Sequence, residues 1–120
     1  MKFYLAAAYN RMFEMCEVRE KLVAAGHEVT AQWIDGKESN DTQQAAAIMD
    51  VEDVLRADAL IAFSFPRGTL HTGGGRHVEF GIALQAGKRL FVVGPKGEHV
   101  FHAWPDIRFF DTIDELIKLV

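Results

Sequence analysis

Unbroken apolar runs recur along this chain, and each is followed by a segment with helical spacing. Phe3-Tyr4-Leu5-Ala6-Ala7-Ala8 and Ala59-Leu60-Ile61-Ala62-Phe63 do not alternate polar with apolar residues, as a strand with one wet face does. Continuous runs of this kind belong to strands buried on both faces, and that requires a parallel sheet whose crossovers are helices. The spacing predicts a first strand over 2–8. A helix over 11–25 follows, with Met12, Met15, Val18, Leu22 and Val23 near one face and Gly26 as its stop. A partly alternating second strand is expected over 27–33, then a polar loop over 35–43. A helix over 44–57 is expected to turn Ile48, Val51 and Leu55 inward. The third strand is read over 58–65, a long loop over 66–75, and a third helix over 76–86, closed by Gly87. The fourth strand covers 89–93. A loop with one helical turn follows over 94–106, then a short fifth strand over 107–110 and a final helix over 112–119. The expected fold is a single α/β domain: a five-stranded, mainly parallel sheet with helices on both faces, flavodoxin- or Rossmann-like.

Composition supports this frame. A chain of 120 residues with 49% hydrophobic and 25% charged residues suits one globular domain with a real core. A formal net charge of -4 argues against binding a nucleic-acid polymer. No apolar run is long enough to span a bilayer, and Met1-Lys2 leads directly into a strand, so no signal peptide or membrane association is expected. Cys16 is the sole cysteine, which excludes an internal disulfide and fits a cytoplasmic setting. Within a helical pattern, Cys16 reads as a packing residue.

In open parallel sheets, ligands bind beyond the carboxyl ends of the strands, where the strand order reverses. Three segments fall there: Tyr9-Asn10-Arg11 after strand one, Ser64-Phe65-Pro66-Arg67-Gly68 after strand three, and the loop Gly73-Gly74-Gly75 that leads to Glu79. Glycines let a ligand approach the backbone closely. A Glu in the first helical turn faces the positive end of the helix dipole, which suits an ionised nucleophile. The competing reading is an acid that only complements the dipole. Gly73–Gly75 lacks the Lys-Ser/Thr of a phosphate-binding P-loop, and no G-x-G-x-x-G follows strand one. No His/Cys set has structural-zinc spacing. The carboxylates remain as the chemical candidates.

These pieces together resemble the nucleoside 2-deoxyribosyltransferase-like enzymes, including small phage and bacterial members and their nucleotide N-glycosidase cousins. The resemblance runs through Phe3-Tyr4-Leu5-Ala6-Ala7-Ala8-Tyr9-Asn10-Arg11, Gly26-His27-Glu28-Val29-Thr30 and Trp33. It continues with Asp50 ahead of Ala57-Asp58-Ala59-Leu60-Ile61, and with Gly87-Lys88 and Phe109 to Thr112. Its most specific part is Gly74-Gly75-Arg76-His77-Val78-Glu79-Phe80-Gly81-Ile82-Ala83-Leu84.

The resemblance implies roles for individual residues. Glu79 would attack C1′ of the sugar and displace the base, leaving a covalent glycosyl-enzyme that water or a second base resolves. Asp50 would orient or assist at base or sugar. Against that, Asp50 lies roughly 160° around its helix from Ile48 and Leu55, which reads as a solvated position if those two face the core. Asp53 and Asp58 are nearby alternatives, with a structural role favoured for Asp58. Tyr9 would stand near the sugar, and Trp33 would stack on a base or belong to the core. Arg11, Arg76 and His77 would surround the pocket mouth and suit a 5′-phosphate, with Ser64 and the Gly75 N–H as further donors. His99 and His102 receive no role. The transferases carry an acid six positions before the nucleophile, where this chain has Gly73, so the base contact differs. The implied activity is cleavage or exchange of the N-glycosidic bond of a (deoxy)nucleoside or its 5′-monophosphate. It needs no metal or organic cofactor, uses at most a free base as acceptor, and is carried by a homodimer or larger homo-oligomer. A nucleotide sensor without turnover is the alternative from another class. A receiver-type domain is disfavoured because neither Tyr9-Asn10-Arg11 nor Ser64 supplies its acids.

Overall fold

Parallel pairing joins each strand to its neighbour in the structure, a computed structural model that describes residues 1–36, 42–70 and 73–120. The elements are β1 (Lys2–Ala6), α1 (Met12–Ala24), β2 (Glu28–Val29), α2 (Gln43–Arg56), β3 (Ala59–Phe63), α3 (Gly75–Gln85), β4 (Arg89–Val93), β5 (Arg108–Phe110) and α4 (Ile113–Leu119). The strand order is β2-β1-β3-β4-β5. Central β3 is buried along its whole length, and β1 and β4 are buried after their first residues, as continuous apolar runs require. Tyr4 pairs with Leu60, which pairs with Leu90. The helical crossovers between parallel strands place helices on both faces. α2 packs on α3, while Lys21 of α1 reaches Asp114 of α4 at 3.0 Å. Thr42 and Thr112 cap α2 and α4, their hydroxyls accepting from the N–H of Ala45 and Glu115 at 3.1 and 3.2 Å. The α/β fold with a five-stranded parallel sheet is the one expected from the sequence.

Two local expectations are corrected. The second strand, read over 27–33, is only Glu28–Val29, and Trp33–Asp35 forms a 3-10 turn. The ladder ends because Asp53 of α2 takes over the segment. Its carboxylate accepts from Gln32 N and Gln32 Nε2, both at 3.0 Å, and its carbonyl accepts from Thr30 Oγ1 at 2.7 Å. The second correction concerns α2. Ile48, Val51 and Leu55 face outward with 52%, 38% and 48% of their surface exposed, while Asp53 and Val54 are buried. The inner face of this helix carries acids because it serves the Gln32 segment and the cleft below. Residues 37–41 of the expected loop 35–43, and His71 and Thr72 of the loop 66–75, lie outside the described residues.

Asp58, the other acid weighed near α2, is structural. Asp58 Oδ2 accepts from Lys2 N at 2.8 Å and fastens the start of β3 to the start of β1, at the amino end of the sheet. Cys16, on α1, approaches the Ile34 carbonyl with its Sγ at 3.4 Å. No helix among the described residues is long and apolar enough to cross a membrane.

Candidate functional site

The strand order reverses between β1 and β3, and a cleft of about 160 Å³ opens beyond their carboxyl ends. Ala7, Ala8 and Tyr9 reach it from the segment after β1, Trp33 from its 3-10 turn, Asp50 from α2, and Gly73, Gly74, Gly75, Arg76 and Glu79 from the loop and helix after β3. Six of the expected site residues therefore meet here: Tyr9, Trp33, Asp50, Gly75, Arg76 and Glu79. Gly73 takes φ +80°, a region that favours glycine, and a Cβ on Gly74 or Gly75 would have no described atom within 4 Å.

Glu79 sits one residue deeper in its helix than expected, just past the first turn. α3 begins at Gly75, and its first turn holds no acid. Helix-dipole effects fade within that turn, so the local partner of Glu79 is a side chain. That partner is Tyr4, in mid-β1, whose hydroxyl donates to Glu79 Oε2. Burial pushes the Tyr4 phenol far up from its ordinary range, and the charges of Glu79 and Asp50 add to this. Tyr4 is therefore a permanent donor to the carboxylate. One oxygen of Asp50 is shut away from solvent. The angle that made Asp50 look solvated instead brings it to the cleft, because Ile48 and Leu55 face outward.

Trp33 is buried and donates its Nε1–H to the Leu5 carbonyl at 2.9 Å; its ring lies 6.1 Å from that of half-exposed Tyr9 at an interplanar angle of 34°. These two rings form an aromatic wall on the β1 side of the cleft.

Arg11, Ser64 and His77 lie elsewhere. Arg11 is paired with Glu14, with Nη2 to Oε2 at 2.6 Å, and lines a neighbouring cleft. The Ser64 hydroxyl donates to the Pro95 carbonyl at 2.7 Å. It packs so close to Gly94 (φ +119°) that a Cβ there would meet Ser64 Oγ at 2.8 Å. His77 faces an apolar groove of about 310 Å³ with Phe80, His99 and Phe101.

Arg76 lines the cleft but is already engaged. Its Nη1 and Nη2 donate to the two carboxylate oxygens of Glu98 at 2.7 and 2.5 Å, and the two side chains are 9% and 10% exposed. Its guanidinium also lies 5.1 Å from the centre of the Phe65 ring. Burial pushes the Glu98 carboxyl up, but the Arg76 hydrogen bonds and charge outweigh it, with help from the Phe65 backbone, and hold it below the usual range.

Glu98 is delivered by a braced loop. His102 Nδ1 accepts from Gly97 N at 3.0 Å and Glu98 N at 3.4 Å, and Arg67 Nε donates to the Gly97 carbonyl at 2.8 Å. Burial, followed by the nearby His99, lowers the pKa of His102 to about 4 from an unfolded value of 6.5. Between those values the unfolded chain binds the proton and the folded chain does not, so stability falls as pH drops from 6.5 to 4 and is level above 6.5. The expected loss from this residue is roughly 1–3 kcal/mol. Urea midpoints of wild type and His102→Asn, measured from pH 7 to 4.5, check it. Asn keeps an acceptor but does not titrate, so its curve should be flatter; equal slopes would remove His102 from the account.

Sequence reasoning missed Tyr4 and Glu98. A phenol within a strand buried on both faces needs a partner for its hydroxyl, which was a usable signal for Tyr4. No spacing marks Glu98. No three His, Cys, Asp or Glu among the described residues are placed to hold a metal ion.

No family model and no curated protein matches this chain. Solved structures do. The chain is similar to a structure described as the CMP N-glycosidase BcmB of Clostridium botulinum, with a TM-score of 0.66 and 17% identity over 99% of this chain and 97% of that one. It is also similar to a conserved protein from Enterococcus faecalis V583, with a TM-score of 0.71 and 14% identity over 98% of this chain and 95% of that one. At such identities the likeness shows the fold.

Proposed function

We propose that the cleft breaks the N-glycosidic bond of a (deoxy)nucleoside or its 5′-monophosphate, with Glu79 as nucleophile. The observation that carries this reading is the Tyr4–Glu79 hydrogen bond in a small cleft that Asp50 also lines. A carboxylate fixed by a buried donor, facing a second carboxyl, is the minimum apparatus for displacement at an anomeric carbon. The N-glycosidase named among the structural neighbours supports the same chemistry.

An oxygen of Glu79 forms a bond to C1′ as the C1′–N bond breaks, and the electron pair of that bond leaves with the base. Asp50, carrying a proton, gives it to the departing nitrogen. Asp50 then takes a proton from water, whose oxygen attacks C1′ and returns Glu79 as a carboxylate. A second base in place of water gives exchange instead of hydrolysis. The Trp33–Tyr9 wall provides a face for the planar base.

The test is chromatographic. Purified protein is incubated with deoxyribo- and ribonucleosides and their 5′-monophosphates, with and without free acceptor base. Release of free base is expected, and product that appears only with acceptor would make the enzyme a transferase. Saturable binding with no product across the panel would sink the enzymatic reading and leave a nucleotide sensor.

A further inference from the structure

We propose that Glu98 is a specificity-determining residue: by neutralising Arg76, it reserves the Glu79 cleft for uncharged nucleosides over their 5′-monophosphates. The inference rests on the glycosidase reading above and narrows its substrate class.

Arg76 is the one cation among the described residues that line the cleft. On sequence it looks like a phosphate ligand. In the fold its two terminal nitrogens face the two oxygens of Glu98 in a fork-to-fork pair, and both side chains are about nine-tenths buried. A pair of this kind resists opening, because separating it leaves an uncompensated buried charge. The pair as a whole carries no net charge. The other acids on the cleft are Glu79 and Asp50. A phosphate monoester would thus bring negative charge towards the Glu79 carboxylate, with Arg76, the one cation among the described residues that line the cleft, already neutralised. A nucleoside meets no such opposition.

The pair is built in from several sides. Phe65 lies beneath the guanidinium of Arg76. The backbone that carries Glu98 is fixed by the Gly97 and Glu98 N–H groups on His102 Nδ1 and by the Gly97 carbonyl on Arg67 Nε. Ser64 holds the same loop by the Pro95 carbonyl. Arg11, the other guanidinium near Phe65, is paired with Glu14 and lines a different cleft.

The experiment compares kcat/KM for the four common 2′-deoxynucleosides and their 5′-monophosphates, using wild type, Glu98→Gln and the double variant Arg76→Leu/Glu98→Leu. Wild type is expected to prefer nucleosides at least ~10-fold. Glu98→Gln frees the charge of Arg76 and should shift the ratio towards monophosphates by ~10-fold or more, mainly through KM. The double variant removes both charges with little change in volume, a replacement that folded proteins commonly accept. It should keep the wild-type ratio, whereas an Arg76 that bound phosphate would show a selective loss of the monophosphate. A wild-type preference for monophosphates, or such a selective loss, overturns the proposal. If no variant turns over, calorimetric titration with the same ligands reads the preference directly. Tighter nucleoside binding would then uphold the role of Glu98 while the glycosidase reading falls. Equal or tighter monophosphate binding, or no binding of either, would overturn it.

Discussion

Glu79→Gln should retain the fold and lose base release by about 10³-fold or more, the scale on which removing a covalent nucleophile acts. The amide is the informative replacement. Its carbonyl oxygen still accepts from the Tyr4 hydroxyl, so no buried donor is orphaned. It also relieves the cleft of one of two facing acids, which often favours stability at the expense of function. Stability within about 1 kcal/mol of wild type is therefore expected. Glu79→Ala should be equally inactive but less stable by about 1–3 kcal/mol, because the Tyr4 hydroxyl is left in the core without its acceptor. The checks are the kcat of both variants on the best substrate of the panel and their urea midpoints. Substantial turnover by Glu79→Gln would remove Glu79 as the nucleophile. Asp50 would then be the carboxylate to examine, acting on water directly in a single displacement.

The parts of the fold that were legible in the sequence are those where one local property decides the outcome. β3 is apolar throughout, and β1 and β4 are apolar after their leading Lys2 and Arg89, because helices cover both faces of the sheet, and such runs have few other places to go. The Gly73–Glu79 segment was legible for the same reason: a loop of glycines feeding a helix after a strand implies its own position in the sheet. α2 was misread because hydrophobic spacing identifies a stripe but not its direction. Its inner face is occupied by Asp50, which lines the cleft, and by Asp53, which holds the Gln32 segment. The second strand was overextended because Gln32 alternates correctly by sequence but bonds to Asp53. The least legible features are pairings of groups far apart in the chain. Tyr4 and Glu79 are 75 positions apart and Arg76 and Glu98 are 22 apart, so only the assembled sheet brings each pair together. The carboxylate of the cleft was thus readable, but the groups that control it were not.

Tyr4→Phe separates the two halves of the proposed reaction. The hydroxyl donates to Glu79 while that side chain is a carboxylate, and the bond weakens once the oxygen is esterified to the sugar. The donor therefore favours free Glu79 over the glycosyl-enzyme. It does little for formation of the intermediate and helps its breakdown, when Glu79 departs with the bonding pair. Removing it should spare or speed the release of the first equivalent of base and slow subsequent turnover by about 10–100-fold, the value of a hydrogen bond to a charged group. The expected record is a burst of base equal to the enzyme concentration, followed by a slow steady state. Burial and the neighbouring acids keep Tyr4 protonated across the working range, so the deficit should be the same from about pH 6 to 9. Quenched-flow measurement of base release reads both phases, and mass spectrometry of the quenched protein should find one deoxyribosyl or ribosyl group on Glu79. A variant that matches wild type in both phases would reduce Tyr4 to a packing residue. One that slows both phases equally would make its role the positioning of Glu79, with no preference between the two steps.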